Sequence, residues 1–170
     1  MKKHSGMRPQ DIVILLKIAT YGDNNWYMKD IANDLFISQS EVSESLNRSV
    51  LAGLISNSKK RIMKFALYDF LVYGLKYVYP VKAGALERGI KTSHSAPPLS
   101  DEILSDETYI WPYEEGDIRG FAIEPLHPNV PKACMKDSKL YELLALVDAI
   151  RIGSKREYNF AINELKRRFE

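Results

Sequence analysis

The stretch from Met28 to Ile55, MKDIANDLFISQSEVSESLNRSVLAGLI, indicates the fold of the N-terminal third of this chain. Its apolar residues recur at the roughly 3.6-residue period of an α-helix, in two runs. These residues are Ile31, Ala32 and Leu35 in the first run and Val42, Leu46 and Val50 in the second. Because only a few residues around Ile37 separate the two runs, the pattern predicts two short helices joined by a turn.

Both ends of the second helix have sequence signals. The Ser38 side chain can accept a hydrogen bond from a backbone N–H of the first helical turn, while Glu41, three residues on, can reach back to the Ser38 N–H. Gly53 follows the apolar pattern, at the place where a chain often enters the left-handed conformation after a helix. The second helix is therefore predicted to run from Gln39 to about Ala52.

The arrangement resembles the helix-turn-helix of winged-helix transcription regulators of the MarR and related types. Their pattern is roughly L-A-x-x-L-x-I-S-x-S-x-V-S-x-x-L-x-x-L-x-x-x-G-L-I. The positions that match it are Ile31-Ala32, Leu35, Ile37-Ser38, Ser40, Val42-Ser43, Leu46 and Gly53-Leu54-Ile55. Ser49 stands where that family has a leucine, and Val50 follows it. The resemblance implies an N-terminal winged helix over about residues 8–63, with the start of the second motif helix in the DNA major groove.

The outward face of the second motif helix carries the residues expected to contact DNA. With the apolar residues turned inward, the side chains predicted to lie wholly or partly outside are Gln39, Ser40, Ser43, Glu44, Asn47 and Arg48, with Ser38 at the helix start. Gln, Ser, Asn and Arg side chains bond to base edges or phosphates. We expect Glu44 either to accept from cytosine N4 or to lie outside the contact, and Glu41 to serve the helix cap. The alternative is a polar face that is merely solvated.

The residues after Gly53 predict a short β-hairpin. LISNSKKRIM, residues 54–63, has Asn57 and Ser58 near a turn and ends in a basic run. This hairpin would be the wing. Its candidate contacts to phosphates or to the minor groove are Lys59, Lys60 and Arg61, followed by Lys64. The alternative for so short a basic run is a solvated turn.

Composition places the basic residues in the N-terminal half. The chain has 170 residues, a net charge of +2, 45% hydrophobic residues and 27% charged residues, as an ordinary globular protein has. Residues 1–80 carry 11 Lys and Arg against 7 acids, whereas residues 101–130 carry 8 acids and only Arg119. The half with the helix-turn-helix pattern is therefore the one suited to phosphate contact.

No segment predicts membrane insertion or export. The longest strongly apolar run, residues 12–19, is far too short to span a bilayer. Residues 1–10 lack the apolar segment and the cleavage site of a signal peptide. We expect a cytoplasmic protein that does not bind membranes.

Two further helices are predicted around the motif. Pro9–Thr20 forms a scaffold helix, whose expected buried stripe is Ile12, Leu15, Leu16 and Ala19. Residues 64–79, KFALYDFLVYGLKYVY, are apolar almost all round and end at Pro80. Such a helix is expected to be buried on several sides, as the link over residues 64–80 to the second half and as a candidate dimer interface.

Residues 81–170 predict a C-terminal dimerisation or partner-binding module. Residues 81–100 have no clear periodicity and are expected to be a loop or linker. Thr108–Pro112 and Gly120–Leu126 favour a small β-hairpin. A helix pair follows, starting at Asp137 or Ser138, broken at Gly153 and restarted by a Ser154 and Glu157 capping box. Its apolar seam is Leu140, Leu143, Leu144, Val147 and Ile150 in the first helix and Tyr158, Ala161, Ile162, Leu165 and Phe169 in the second.

The chain offers no recognisable catalytic or metal motif. His94 lies between two serines without a recognisable nucleophile motif nearby. Glu124, His127 and Cys134 lack the spacing of metal ligands. Cys134 is the only cysteine and is expected to be an inert packed thiol, with oxidant sensing as the alternative. We therefore expect no enzyme, no cofactor and no metal, while a hydrolase using His94 or His127 is a third hypothesis.

The sequence thus predicts a mainly helical α+β fold, with an N-terminal winged helix-turn-helix and a C-terminal module containing a small β-hairpin and a helix pair. The expected function is sequence-specific binding of double-stranded DNA by a transcriptional regulator, a repressor that acts as a homodimer. The C-terminal half also resembles that of uncharacterised winged-helix regulators of toxin-antitoxin or defence type. The alternative is therefore an antitoxin-like or adaptor protein whose C-terminal half binds another protein.

Overall fold

The structure is a computed structural model in which residues 6–170 are described. The mainly helical α+β class is confirmed. The helices are α1 (Pro9–Tyr21), α2 (Met28–Leu35), α3 (Gln39–Leu51), α4 (Lys64–Asp69), α5 (Leu75–Val78), α6 (Val130–Cys134), α7 (Ser138–Ile152) and α8 (Lys155–Phe169), and the strands are β1 (Leu86–Lys91), β2 (Tyr109–Pro112) and β3 (Ile118–Ala122). Residues 1–5 belong to the segment that is predicted not to be a signal peptide, and they lie outside the described residues.

Helix α1 is enclosed by the rest of the protein on all sides. Every residue from Asp11 to Ile18 is buried, so the helix has no solvated side and is not limited to the single buried stripe that we expected. Its two buried charges have partners from distant parts of the chain. Asp11 binds Arg48 of α3, and Lys17 Nζ lies 2.6 Å from the Asp137 carboxylate at the start of α7. Since both charges are paired, the helix can be enclosed on all sides.

The two motif helices and their cap form as predicted. Ser38 Oγ accepts from the Glu41 N–H at 3.1 Å, and Glu41 Oε2 accepts from the Ser38 N–H at 3.3 Å. Gly53 has φ +76°, the left-handed conformation that its position after α3 requires. Local sequence signals therefore define α3 at both ends.

The buried face of α3 differs by one position from the expected face. Val42 and Leu46 are buried as predicted, and Ser45 and Ser49 are buried with them, whereas Val50 is only half-buried. Ser49 follows Val42 by seven residues, close to two helical turns, so it lies on the same side of the helix. A small residue at this position lets α3 pack closely against its neighbours.

The helical stretch over residues 64–78 exposes the side that we expected to be buried. A π-helical turn, Phe70–Gly74, joins α4 to α5. Leu67, Leu71 and Leu75 are fully buried on the inner side. Aromatic residues on the outer side face solvent: Phe65, Tyr73 and Tyr77 are 88%, 69% and 73% exposed. The expectation of burial on several sides is wrong, because α7 and α8 pack against only one side of this helix.

Strand β1 lies inside the segment that we expected to be a linker. It pairs antiparallel with both β2 and β3, and these two run parallel to each other in a closed three-stranded sheet, so the expected β-hairpin does not form. Gly89 is aligned with both Pro112 and Ile118, where β1 passes from one partner strand to the other. A Cβ at this position would stand 1.8 Å from the Trp111 carbonyl oxygen, so only glycine fits.

The predicted helix pair is confirmed. Asp137 caps α7 by accepting from the Leu140 N–H at 3.0 Å, and Ser154 with Glu157 forms the capping box of α8. Buried Asp148 of α7 accepts from Trp111 Nε1 at 2.6 Å. Burial raises the pKa of this carboxyl, against the opposing effect of Arg151 and of its hydrogen bonds. The contact fixes the sheet to α7.

One hydrophobic core extends through both halves of the chain. It includes Ile12 of α1, Leu46 of α3, Leu71 of the 64–78 helix and Leu146 of α7. The sequence segments 8–63, 64–80 and 81–170 therefore contribute to the same core. Among residues 6–170, no helix is both long and apolar enough to cross a membrane.

Candidate nucleic-acid interface

The exposed side of α3 carries most of the polar residues that the sequence analysis singled out. We call Gln39, Ser40, Ser43, Glu44 and Asn47 the reading face. Ser43 is partly buried and the other four side chains are exposed. Ser38 is exposed at the N-cap, where its hydroxyl accepts a backbone N–H of α3. The reading face therefore begins at the first turn of the helix, where backbone N–H groups and the helix dipole favour an anion.

Arg48 does not belong to the reading face. Its Nε and Nη2 donate to the two carboxylate oxygens of Asp11 at 2.8 and 2.7 Å, and its side chain is only 11% exposed. The hydrogen bond to Asp11 raises the pKa of the guanidinium, which stays charged. Asp11 is fully buried, so Arg48 is needed to neutralise it. The expected outward position of Arg48 is wrong because its partner lies 37 residues away in α1.

Arg48 also moderates the negative charge on the reading face. Its Nη1 lies 4.0 Å from Glu44 Oε2, and the Glu44 side chain is 67% exposed. The other acid at the start of α3, Glu41, is engaged in the helix cap. Glu44 is therefore the exposed acid of this face that is not engaged in the helix cap.

The segment after α3 folds into the expected short hairpin. The Ser56 N–H donates to the Arg61 carbonyl at 2.8 Å, and one bridge joins Ile55 to Ile62. The Lys59 N–H donates to the Ser56 carbonyl, closing a turn over residues 56–59. Lys59 itself has φ +60°, a left-handed conformation that is costly for a lysine. We call residues 54–63 the hairpin.

The hairpin contacts α3 and the segment before α2 through its lysines. Lys59 Nζ donates to Asn47 Oδ1 on the reading face. Lys60 Nζ donates to the Trp26 carbonyl at 2.8 Å and lies 4.3 Å from the centre of the Trp26 ring. Trp26 is buried at the entrance to α2. These contacts hold the hairpin beside α3, and they engage the two ammonium groups in contacts within the chain.

Arg61 and Lys64 are the cations of this region with exposed side chains and no partner in the described part of the chain. Arg61 pairs with Ser56 next to the turn of the hairpin, and Lys64 begins α4. Of the four basic residues singled out after α3, these two are the ones free to meet phosphates without giving up a contact.

The C-terminal half supports the turn between the motif helices, which the sequence did not reveal. Asn129 Nδ2 donates to the carbonyls of Leu35 and Phe36 at 3.3 and 2.9 Å. Lys132 Nζ of α6 lies 4.0 Å from the centre of the Phe36 ring. Phe36 has φ +57°, so an aromatic residue holds the left-handed position that ends α2. The only local signal was the unusual aromatic residue in the turn, since its partners lie more than ninety residues away.

His127 belongs to the same support. Its Nδ1 accepts from the Asn129 N–H at 3.1 Å, so this nitrogen carries no proton. Burial lowers the pKa of the His127 imidazole, against the opposing charge of Glu41. His127 has a structural partner and needs no metal to explain it.

His94 and Cys134 are packed inside the protein. His94 Nε2 donates to the Glu107 carbonyl at 2.8 Å, and its Nδ1 lies 3.7 Å from the Glu157 carboxylate. Burial raises the pKa of the Cys134 thiol, which makes it a poor nucleophile. Within residues 6–170, no group of three or more His, Cys, Asp or Glu residues is placed to hold a metal ion.

Comparisons with protein-family models, with curated proteins and with solved structures find no match to this chain. The function must therefore be argued from the residues themselves.

Proposed function

We propose that this protein is a sequence-specific, double-stranded DNA-binding transcriptional regulator, a repressor that acts as a homodimer. The reading face of α3 enters the major groove, and the hairpin follows the adjacent backbone. In this interpretation α1, α2, α3 and the hairpin form a winged helix-turn-helix. Recognition uses the side chains of Gln39, Ser40, Ser43 and Asn47, and Arg61 and Lys64 meet phosphates.

The contact between Asn47 and Lys59 is the observation that carries the proposal. It joins the middle of the reading face to the tip of the hairpin, so polar groups suited to bases and cations suited to phosphates lie side by side. A solvated helix face would need no basic hairpin held against it. In the complex, Lys59 can turn to a phosphate and leave the Asn47 amide free to form two hydrogen bonds with an adenine edge.

Contacts on the inner side of the motif helices also hold the reading face in a fixed position. Arg48 joins α3 to the buried carboxylate of α1, and Asn129 holds the end of α2. Groups that read bases must be placed by rigid elements, because a loosely held side chain loses entropy on binding. The buried ion pair and the support from Asn129 supply this rigidity.

The small size of the contact surface supports the proposal of a homodimer. A single recognition helix with a short hairpin reads only a few base pairs, and two copies on adjacent half-sites supply the remaining specificity. In such a complex the two reading faces lie about 34 Å apart, one turn of B-DNA.

A selection from random DNA tests this function. The purified protein is mixed with a pool of random 30-base-pair duplexes, and the bound fraction is sequenced after repeated rounds. We expect a two-fold repeated motif. On the selected duplex, the double variant Gln39→Ala and Asn47→Ala should lose about 10-fold to 100-fold in affinity and much of its sequence preference.

Charge variants separate phosphate contact from general attraction. The double variant Arg61→Ala and Lys64→Ala should weaken binding to all duplexes and lower the slope of log affinity against log salt by about 2. The matched control is Lys155→Ala with Arg156→Ala, which removes the same charge from exposed positions of α8. Equal slopes for both double variants, or no enriched sequence in the selection, would overturn the proposal.

A further inference from the structure

An aromatic stripe covers the outer side of the 64–78 helix. Phe65, Tyr73 and Tyr77 are 88%, 69% and 73% exposed, and exposed Asp69 lies between the first two along the chain. We call these four residues the outer stripe. The ammonium of neighbouring Lys76 lies 5.0 Å from the centre of the Tyr77 ring. Exposed aromatic surface of this size marks an interaction site.

The π-helical turn keeps the outer stripe straight. Members of the stripe are four residues apart, and in a regular α-helix each such step turns the side chain about 40° further around the axis. The Phe70–Gly74 turn has more residues per turn, which offsets this drift. The inner leucines show the same alignment, since Leu67, Leu71 and Leu75 are also four residues apart and are all fully buried.

The helix that carries the stripe is fixed to the C-terminal helices. The Tyr158 hydroxyl of α8 donates to the Val72 carbonyl in the π-helical turn at 2.9 Å. Arg151 Nε of α7 donates to the Tyr79 carbonyl at the end of the helix at 3.0 Å. These bonds satisfy carbonyls at the turn and at the helix end. The outer stripe is therefore a rigid surface and not a frayed segment.

We propose that a second copy of this chain docks antiparallel on the outer stripe, with Phe65 against Tyr77 and Asp69 against Tyr73 of the other copy. The spacing of the stripe is self-complementary about its centre near residue 71. Turning the helix end for end exchanges position 65 with 77 and position 69 with 73. An isologous interface requires this pairing of residue i with j and of j with i.

The chemistry of the two pairs fits this arrangement. Phe65 and Tyr77 give two aromatic pairs, one at each end of the interface. The Tyr73 hydroxyl, which has no partner within residues 6–170, donates to the exposed Asp69 carboxylate of the other copy. The two Asp69 carboxylates do not meet, because each faces a tyrosine. A parallel arrangement would instead place each carboxylate opposite its own copy.

The exposed rings supply about half of the area that a standard dimer interface needs from each partner. Side chains of this kind bury roughly 150–250 Å² each, so the three rings expose about 450 Å² between them. A standard interface needs about 800 Å² from each partner. Flanking residues add to the rings, because Val78 is 53% exposed and Met63 is 39% exposed at the two ends of the helix.

Sedimentation equilibrium tests the docking surface, and the inference rests on the homodimer of the proposed function. We expect a dimer for the unchanged protein and a monomer for Phe65→Asp, with a dissociation constant raised at least about 100-fold. Aspartate in the first turn of α4 suits the helix dipole, so this variant keeps its fold. Tyr73→Phe should raise the dissociation constant a few-fold by removing two hydrogen bonds.

The matched control is Leu104→Asp, which removes a side chain that is 97% exposed and lies outside the stripe. Its dissociation constant should equal that of the unchanged protein. An equal loss of dimer in Leu104→Asp and Phe65→Asp would overturn the proposal, and so would a protein that stays monomeric at all concentrations.

Cross-linking tests the antiparallel arrangement. In a mixture of Phe65→Cys and Tyr77→Cys proteins, a short thiol-reactive linker should join the two different chains. Phe65→Cys alone should not cross-link, because its two copies lie roughly 18 Å apart along the axis, about three helical turns from one end of the stripe to the other. Efficient cross-linking of Phe65→Cys to itself would show a parallel arrangement and overturn the pairing. The buried Cys134 serves as a background that should not react.

DNA binding distinguishes failure of this surface from failure of the function. If the protein is monomeric but still selects a DNA motif, the outer stripe is not a dimer interface and the proposed role of the reading face stands. If the protein forms a dimer that depends on Phe65 but selects no DNA, the outer stripe is the dimer interface and the proposed DNA-binding function is wrong. Binding of a different protein to the stripe would appear as a monomer in the purified state, and would count against the homodimer.

Discussion

Helix α1 and the 64–78 helix differ in how their sequences relate to their burial. Helix α1 carries charges and is buried, whereas the apolar 64–78 helix leaves one side exposed. Helix α1 contains Asp11 and Lys17, yet both are buried together with the apolar residues between them. The 64–78 helix is one of the most apolar stretches of the chain, yet its outer stripe faces solvent. Local apolar content therefore did not determine which of the two helices became buried on all sides.

The difference arises from partners supplied by distant residues. Asp11 is paired with Arg48, and Lys17 is paired with Asp34 and Asp137, so the charges of α1 can leave water. The 64–78 helix has neighbours on one side only, and nothing in the described chain covers the other. A buried charge therefore reflects an available counter-charge, and an exposed aromatic stripe reflects a missing neighbour.

Removing the partner of Asp11 should have the largest effect on stability. Arg48→Ala leaves a fully buried carboxylate unpaired, and we expect the free energy of unfolding to fall by about 3–5 kcal/mol in urea titrations. A double variant, Asp11→Leu with Arg48→Met, removes both charges and should recover most of this loss. If the single variant lost under about 1 kcal/mol, the ion pair would not be what allows α1 to be buried at this end.

Opposite sides of the 64–78 helix should differ clearly in urea titrations. Leu71→Ala empties a fully buried position and should cost about 2–5 kcal/mol. Tyr73→Ala should change stability by less than about 0.5 kcal/mol, because its side chain is mostly exposed. Both are measured in the Phe65→Asp background, where dimer formation does not add to the stability. Similar losses for the two variants would mean that the outer stripe is covered within one chain.

Lys17 should make stability depend on alkaline pH. Burial by itself lowers the pKa of this ammonium, but the hydrogen bonds to Asp137 and Asp34 outweigh it and the net pKa is raised. The folded state then holds the proton that the unfolded state releases above its ordinary value near 10.5. Stability from Lys17 is therefore present below that pH and is lost as pH rises through the folded pKa.

The matched variant is Lys17→Met, which keeps a long side chain without the charge. Its unfolding free energy should fall less steeply above pH 10.5 than that of the unchanged protein, by at most about 1.4 kcal/mol per pH unit. Identical slopes would show that Lys17 has the same pKa in both states.

The sequence predicted the elements whose signals are local. Ser38, Glu41 and Gly53 mark the ends of α3, and Ser154 marks the start of α8, because caps and left-handed residues act within a few positions. Strand β1 was missed because its residues are mostly exposed and show no alternation of polar and apolar side chains. Strands β2 and β3 do not form the expected antiparallel pair, because β1 pairs antiparallel with both of them and they run parallel to each other.

The outward-facing residues of the candidate site were also predictable from local signals, but the contacts that hold them were not. The exposed positions of α3 followed from its period, but the role of Arg48 did not, since a long polar side chain on a helix gives no sign of a partner 37 residues away. The support that Asn129 gives to the motif turn was equally invisible, because it crosses 93 residues of sequence to Phe36. Local chemistry therefore predicts which residues face outward, and tertiary contacts decide which of them are free.

The complete enclosure of α1 has a consequence for the modularity of this protein. A fragment ending after the hairpin would retain α1, α2 and α3, yet it would remove α7 from one side of α1 and expose apolar residues of α1 to water. Lys17 would also lose Asp137. We therefore expect that residues 6–63 would not fold independently of the C-terminal half, because both share one hydrophobic core.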